Sequence, residues 1–274
     1  MAVVPRPAAT VVLLRDRRDG PEAYLQLRPA RMGFAGGLWV FPGGRVDGAD
    51  GDPAVDATWS GPSPADWAGR LGTGVDEARG HVVAACRETL EEAGLLLATP
   101  AADAGELAAA RRELLAGSAG LAGLLARLGV RLDTARLRYW AWWVTPEAEP
   151  RRYDTRFFVA GLPADAAVAA HLAEAERERW LPPAEATADQ ELPMLPPTRT
   201  TLRDLAGFGS VAEALAAAAG RRVERILPVL DGAELVLPWG ERYPVPAAPL
   251  EAPRSGVGPP DEQGGRGGRP AVGA

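Results

Sequence analysis

The stretch RETLEEAGL, residues 87–95, contains three glutamates within little more than one helical turn. Glu88, Glu91 and Glu92 have the spacing i, i+3 and i+4, which brings their carboxylates to one face of a helix. Like charges at this spacing destabilise a helix by roughly a few tenths of a kcal/mol per pair. The stretch therefore has two interpretations, a solvated acidic surface and a cradle for a cation.

The chemistry of the three side chains favours a particular class of cation. Clusters of carboxylate oxygens suit the hard cations Mg²⁺ and Mn²⁺ better than Zn²⁺. Protein-bound Mg²⁺ commonly acts on a substrate that carries phosphate groups. Arg87, which precedes the cluster, is placed to pair with a neighbouring carboxylate and hold it in position. The cation interpretation thus predicts a phosphate-bearing substrate.

A second stretch, FPGGRVDGAD at residues 41–50, belongs to the same pattern. Together with AACRETLEEAGL at residues 84–95, it resembles the signature of the Nudix hydrolases. The family motif is Gly, five residues, Glu, seven residues, Arg-Glu, an aliphatic residue, any residue, Glu-Glu, any residue, Gly and an aliphatic residue. Gly44 is the leading glycine here, and the second half matches from Arg87 to Leu95 except for Thr89. Asp50 stands where the family has its first Glu.

The spacing between the two halves also departs from the family. Residues 51–86 lie between Asp50 and Arg87, where the family usually has seven residues. We interpret residues 51–80 as an insertion, which a loop tolerates because closure entropy rises only slowly with length. The insertion leaves the role of Asp50 open.

The resemblance implies a fold, a reaction and a set of site residues. The implied fold is of the α+β class, with a mixed β-sheet sandwiched between helices (α/β/α). The implied reaction is hydrolysis of a nucleoside diphosphate linked to another group, with Mg²⁺ (or Mn²⁺) as cofactor. The implied metal ligands are Glu88, Glu91 and Glu92. The implied catalytic residues are Glu91 as the general base, with Arg87 and Glu88, and the alternative bases are Glu174, Glu176 and Glu178.

Residues upstream of the motif favour one group of substrates. LQLRPARMGFAGGLWVFPGG, residues 25–44, is similar to an added signature of family members that cleave coenzyme A and its acyl esters. Leu25, Arg28, Gly37 and the FPGG run fit it, whereas Gln26 replaces its Thr and Pro29 its Ser. We therefore expect CoA or acyl-CoA as substrate, with Arg28 and Arg31 placed to meet its 3′-phosphate. The resemblance also implies that the backbone near Gly43 and Gly44 supplies a carbonyl ligand to the metal.

Two alternatives remain open at this stage. The first keeps the chemistry and changes the substrate to ADP-ribose or a nucleotide sugar. The second is a nucleotide-binding regulator that has the Nudix fold without catalysis, which the Asp50 replacement and the insertion favour. The intact Arg87 and the three intact glutamates argue against it.

The composition of the chain limits the classes of partner that it is expected to bind. The 274 residues have a net charge of −6 and a pI of about 5.2, which argues against non-specific nucleic-acid binding. No run approaches the roughly 20 apolar residues of a membrane span. Cys86 is the only cysteine, and the first residues lack a signal-peptide pattern. We expect a cytoplasmic protein with a small-molecule substrate.

The pattern along the chain predicts a single Nudix domain over residues 1–248. Residues 103–128 read as two short helices, either a cover for the core or a homodimer interface. Residues 249–274 are rich in Pro, Gly and Arg without periodicity, which predicts a disordered tail.

Six further residues are assigned structural positions. In WAWWV, residues 140–144, strand alternation predicts Trp140 and Trp142 on one face and Trp143 on the other. His81 and His171 are expected at the surface without a metal role. Cys86 is expected to pack inside the acidic helix.

Overall fold

The computed structural model describes residues 3–32, 35–166, 168 and 175–244. The strands are β1 (Arg6–Arg17), β2 (Gly20–Leu27), β3 (Trp39–Val40), β4 (Gly43–Arg45), β5 (Trp59–Ser60), β6 (Ala98–Thr99), β7 (Arg131–Asp133), β8 (Leu137–Val144), β9 (Tyr153–Leu162), β10 (Arg177–Leu181), β11 (Arg225–Ile226), β12 (Val229–Asp231), β13 (Glu234–Val236) and β14 (Arg242–Pro244). The α-helices are α1 (Pro64–Leu71), α2 (Val75–Ala93), α3 (Ala104–Leu115), α4 (Leu121–Leu128), α5 (Pro183–Ala188), α6 (Pro196–Leu205) and α7 (Val211–Ala219). Short 3₁₀ helices cover Gly48–Gly51, Pro53–Thr58 and Thr134–Arg136.

A mixed sheet with the order β10-β2-β1-β9-β8-β11 forms the centre of the fold. Strand β1 pairs in parallel with β9, and β11 pairs in parallel with β8. Strand β2 runs antiparallel to β1 and β10, and β8 runs antiparallel to β9. The first half of β1 pairs with β4, and its second half pairs with β2. Strand β4 therefore brings the glycines of the FPGG run to the middle of the sheet.

Helices cover both faces of this sheet, as predicted. Alternate residues of β1 explain why, since Val11 and Leu13 enter one hydrophobic cluster and Val12 and Leu14 enter the other. The first cluster includes side chains of α1 to α4, and the second includes side chains of α5 to α7. The α/β/α sandwich of the α+β class is thereby confirmed.

The region interpreted as an insertion packs against the acidic helix. Helix α1 begins as the sequence predicts, because Ser63 caps it in a capping box with Asp66. Helix α2 begins at Val75, so residues 75–80 belong to this helix rather than to a separate inserted segment. It ends at Gly94, whose φ of 69° suits a glycine.

Two small three-stranded sheets accompany the main sheet, one of β5, β7 and β6 and one near the C-terminal end of the described residues. Strands β12, β13 and β14 pair antiparallel, with Gly232 at positive φ in the turn between β12 and β13. The predicted tail, residues 249–274, lies outside the described residues. Among the residues that are described, the helices are too short or too polar to span a bilayer.

The prediction for the tryptophans of β8 is wrong. Trp140 and Trp143 share the cluster under α6 and α7, whereas Trp142 lies on the opposite face, stacked 3.6 Å from Cζ of Arg156. A β-bulge between Tyr139 and Ala141 causes the difference. The extra residue shifts the alternation by one position along the strand.

Candidate active site

The second half of the motif lies on the last two turns of α2, next to the glycines of β4. The approach is close, because a Cβ atom on Gly44 would lie 2.3 Å from Oε1 of Glu88. A Cβ atom on Gly43 would lie 2.5 Å from the carbonyl oxygen of Ala9. The backbone of β1 therefore leaves room only for glycine at position 43, whereas a side chain at position 44 would displace the carboxylate of Glu88.

Arg87 is the centre of a buried charge network. Its Nε and Nη2 donate to the two carboxylate oxygens of Asp50, each at 2.9 Å. Its Nη1 donates to Glu88 at 2.8 Å and to Glu91 at 3.0 Å. Burial alone lowers the pKa of Arg87, but the hydrogen bond to Asp50 and the charges of Glu88, Asp50 and Glu91 more than offset it and raise the pKa. The guanidinium is therefore permanently charged.

Asp50 is held in a fixed position beside Arg87. It is 2% exposed, and its side chain also accepts a hydrogen bond from the backbone N–H of Asp47 at 2.8 Å. The residue lies beside Arg87 despite the residues between them, because the 3₁₀ helix Gly48–Gly51 packs on α2. The shorter Asp side chain orients Arg87 with a bidentate contact.

Glu92 is held by a different set of groups. Its Oε2 accepts from Gln26 Nε2 and, at 3.0 Å, from the backbone N–H of Gly43. Its Oε1 lies 3.9 Å from Nη1 of Arg28. Gln26, which replaces the Thr of the CoA signature, is fully buried and contacts the motif directly. Sequence reasoning missed this role, because only the pairing of β2 and β4 with β1 brings Gln26 to the motif.

These contacts bear on metal binding. Among the residues that the structure describes, no three His, Cys, Asp or Glu side chains form a group that could hold a metal ion. Arg87 holds Glu88 and Glu91, whereas Gln26 and Gly43 hold Glu92. Glu88 and Glu91 both accept from Nη1 of Arg87 and supply hard oxygen donors, which fit a divalent cation. Glu92 adds a third carboxylate to the lining of the same region.

A cleft of about 600 Å³ opens over the motif. Its lining includes every site residue that the sequence predicts, namely Arg28, Gly43, Gly44, Arg87, Glu88, Glu91 and Glu92. The opposite wall is mainly apolar and consists of residues from β8, β9, the start of α6 and the segment after β11. The size is typical of a small-molecule site.

Arg45 is a lining residue that sequence reasoning missed. It follows Gly44 directly and its side chain is exposed. The described residues give its guanidinium no hydrogen-bond or ion-pair partner, in contrast to Arg87. An arginine in this state is available to an anionic ligand. The signal in the sequence was its place beside the leading glycine of the motif.

The alternative general bases have different surroundings. Glu178 accepts a hydrogen bond from the hydroxyl of Tyr24 at 2.9 Å, and neither Glu178 nor Glu176 lines the cleft. Burial and the neighbouring carboxylates raise the pKa of Tyr24, so this hydroxyl remains a donor. Glu174 lies outside the described residues.

Residues 103–128 contact the motif helix as well as the core. Arg111 of α3 donates to the carbonyl oxygen of Glu91 at 2.7 and 3.0 Å and to that of Glu92 at 3.2 Å. The carbonyls in the last turn of a helix lack partners within the helix. Arg111 therefore fixes the end of α2 that carries the glutamates.

The prediction of a surface position for His81 is wrong, whereas Cys86 is buried in α2 as expected. His81 is fully buried, and its Nδ1 lies 3.1 Å from the carbonyl oxygen of Ala8. The cause is that the sheet, α1 and the 3₁₀ helix Gly48–Gly51 enclose α2. His171 lies outside the described residues.

Burial of His81 predicts a pH-dependent stability. Desolvation, with a smaller contribution from the charge of Arg156, lowers the pKa of His81 to about 4, whereas the ordinary value is 6.5. The carboxylate of Glu77 lies 3.7 Å from Nε2 of His81, but it is half-exposed, so water screens its charge. The contribution of neutral His81 to the free energy of unfolding is complete above pH 6.5. It is lost as the pH falls towards 4, because the unfolded chain then binds an extra proton.

We expect the free energy of unfolding in urea to fall by about 2 kcal/mol more for the wild type than for His81→Gln between pH 7 and pH 5. Equal losses would contradict the assignment.

Three comparisons identify the relatives of this chain. The family model described as NUDT19 Nudix domain matches residues 65–205, which is just over half of the chain. The protein named acyl-coenzyme A diphosphatase NUDT19 from Homo sapiens is 29% identical and aligns with 82% of this chain and 73% of its own length. The protein of the same name from Gallus gallus is 30% identical, and the alignment covers 87% of this chain and 80% of that protein. The crystal structure of a NUDIX hydrolase from Alicyclobacillus acidocaldarius is 28% identical, with a TM-score of 0.66, and the match covers 78% of this chain and 96% of that one. The chain therefore belongs to the family of the NUDT19 Nudix domain and is a Nudix hydrolase.

Proposed function

We propose that this chain hydrolyses the diphosphate of CoA or acyl-CoA and releases 3′,5′-ADP and phosphopantetheine or its acyl ester. The observation that carries the proposal is the cleft, in which the motif carboxylates lie beside Arg28 and Arg45. The two curated relatives described above are named acyl-coenzyme A diphosphatases, which supports the same substrate class. The partner is thus a small molecule, and the net charge of −6 argues against a nucleic acid.

Nudix hydrolases generally use divalent metal cations. We propose Mg²⁺, with Mn²⁺ as a substitute, held by Glu88, Glu91 and Glu92. Such a cation offsets the negative charge of the diphosphate and lowers the pKa of a water molecule. The support from this structure is the chemistry of the donors and the position of all three glutamates in the lining of the cleft.

The chain's own residues have separate tasks in this proposal. Glu91 accepts the proton of the attacking water, because it lines the cleft and its carboxylate is partly exposed. Arg87 positions Glu88 and Glu91 through its fixed contact with Asp50. Arg28 and Arg45 bind the anionic groups of the substrate, and Gly43 and Gly44 allow it to approach the backbone.

The identity of the substrate is tested with a panel that contains CoA, dodecanoyl-CoA, ADP-ribose and a nucleotide sugar. Each is incubated with the protein and Mg²⁺, and the products are identified by mass spectrometry, with Glu91→Gln as the reference of low activity. We expect 3′,5′-ADP from the CoA compounds and little turnover of the others. Faster cleavage of ADP-ribose or of the sugar nucleotide would refute the CoA assignment. Absence of turnover combined with ligand-induced thermal stabilisation would favour the non-catalytic regulator.

Gly44→Ala tests the close packing of β4 on α2. The new methyl group has to displace Glu88, because no room exists at 2.3 Å. We expect kcat to fall by about 10²-fold, since misplacement of a catalytic group by about 1 Å has effects of this size. Gly48→Ala is the matched control, because a Cβ there meets no atom within 4 Å. Equal activity of the two variants would show that the glutamate position does not depend on Gly44.

A further inference from the structure

Two arginines of helix α2 hold the segment that follows β4. Arg79 and Arg87 are eight residues apart, which is about 12 Å along the helix axis. Both are largely buried, with 5% and 8% of their surface exposed. Nε and Nη2 of Arg79 donate to the two carboxylate oxygens of Asp56 at 2.9 and 3.0 Å. This contact has the same bidentate form as the contact between Arg87 and Asp50.

Arg79 also reaches the backbone next to Asp50. Its Nη1 donates to the carbonyl oxygen of Gly51 at 3.2 Å, and Gly51 follows Asp50 directly. The same Nη1 donates to Asp76 of its own helix at 2.5 Å, which helps to fix the direction of the guanidinium. One guanidinium thus binds the segment both at Gly51 and at Asp56. The planar fork of N–H donors allows this set of contacts, which a lysine cannot form.

The segment between these two points is short and is braced by its own contacts. Asp52 caps the 3₁₀ helix Pro53–Thr58, because its side chain accepts a backbone N–H at 2.8 Å. Val55 is 2% exposed and belongs to the hydrophobic cluster that includes side chains of α2. The chain before the segment also lies close to α2, since a Cβ atom on Gly80 would be 2.9 Å from Cγ1 of Val46. The segment therefore has little freedom to move once both of its ends are held.

We propose that Arg79 and Asp56 are positioning residues for the diphosphate hydrolysis. They hold the backbone at Gly51, so that Asp50 faces Arg87 and directs its guanidinium towards the motif glutamates. The contacts run without a break from Asp56 to Arg79, from Arg79 to Gly51 and from Asp50 to Arg87. The inference rests on the proposed roles of Arg87 and the glutamates, and it gives the inserted segment the task of orienting them.

Asp56→Ala tests the inference without a cavity in the core, because the side chain of Asp56 is 40% exposed. Groups that orient metal ligands typically contribute about 10- to 100-fold to activity or metal affinity. The assay uses saturating Mg²⁺ and the compound of the panel that the wild type cleaves fastest. We expect kcat to fall about tenfold and KM to stay within about twofold, since Asp56 does not line the cleft.

Glu113→Ala is the matched control for Asp56→Ala. It removes the carboxylate of another bidentate pair, with Arg127, and the side chain of Glu113 is 36% exposed. We expect this variant to keep the wild-type kcat within about twofold. Equal kcat values of the two variants, or a loss for Asp56→Ala that lies in KM, would overturn the inference.

A double-mutant cycle with Asp50→Ala separates positioning from an independent effect on the reaction. If Asp56 acts through Asp50, the double variant has the kcat of Asp50→Ala within about twofold. Thermal unfolding curves set an assay temperature at which every variant is folded. Losses of kcat that multiply in the double variant would show that Asp56 does not act through Asp50 and would refute the inference.

Titration with Mn²⁺ alone gives a readout that does not depend on turnover. The EPR signal of free Mn²⁺ yields the dissociation constant of each protein. We expect Asp56→Ala to bind Mn²⁺ about tenfold more weakly than the wild type and Glu113→Ala, because Arg87 no longer orients the glutamates. Equal dissociation constants of the three proteins would contradict the inference. If the wild type binds Mn²⁺ but cleaves no compound of the panel, the proposed function has failed, and this titration alone decides the inference.

Discussion

Replacing Glu91 by Gln is expected to lower kcat for diphosphate hydrolysis by about 10²- to 10⁴-fold, the range that a general base contributes. The amide has nearly the same size as the carboxylate but cannot accept the proton of the attacking water. Glu91 lines the cleft, and its carboxylate lies 3.0 Å from Nη1 of Arg87. Its side chain is 19% exposed, so the protein is expected to fold normally. Steady-state kinetics with Mg²⁺ measure kcat, and a thermal unfolding curve shows whether the variant is folded.

The control for this experiment lies on the same helix. Glu77→Gln changes a half-exposed glutamate at the other end of α2, outside the cleft. We expect this variant to retain the wild-type kcat within about twofold. If Glu91→Gln is as active as Glu77→Gln, the proton of the attacking water is accepted by another group, and the assignment of Glu91 as the general base is wrong.

Asp50→Ala is expected to have the largest effect on stability. Removal of one partner from a buried ion pair typically costs about 3–5 kcal/mol when the other charge is left without compensation. We expect a loss towards the lower end of this range, because Arg87 keeps its contacts with Glu88 and Glu91. Arg87 is 8% exposed and loses two hydrogen bonds of 2.9 Å in this variant. It also loses the contact that fixes its direction towards Glu88 and Glu91. We therefore expect a lower free energy of unfolding in urea together with a loss of activity.

An exposed pair serves as the control for Asp50. Glu113 and Arg127 form a bidentate contact at 2.7 and 2.9 Å, but their side chains are 36% and 52% exposed. Water replaces the lost partner there, so Glu113→Ala is expected to leave stability almost unchanged. A double-mutant cycle with Arg87→Ala separates the pair from other effects. If Asp50→Ala destabilises no more than Glu113→Ala, the buried pair is not a structural support of the motif.

Local signals in the sequence predicted much of the fold. The start of α1 follows from Ser63 and Pro64, and the end of α2 follows from Gly94, because caps depend on a few adjacent residues. The two-sided burial of β1 follows from its apolar run, VVLL, at residues 11–14. The motif similarly predicted which glutamates line the cleft.

Long-range pairing determined what the sequence did not reveal. The bulge at Trp140 reversed the faces assigned to Trp142 and Trp143, and no local signal marks it. His81 is buried because distant segments enclose α2. The contact of Gln26 with Glu92 depends on strands that are far apart in the chain. The same is true of the position of Leu235 in the lining of the cleft. Alternation and helical periodicity describe single elements and carry no information on these neighbours.

The most direct test of the central claim is the dependence of 3′,5′-ADP release from CoA on the Mg²⁺ concentration, measured for the wild type and for Glu88→Gln. If the glutamates of α2 hold the cation, the wild type shows saturation with Mg²⁺ and no product with EDTA. The variant then requires at least about tenfold more Mg²⁺, as expected when the affinity of a metal site is weakened. Product formation in EDTA, or the same Mg²⁺ dependence in both proteins, would contradict the account.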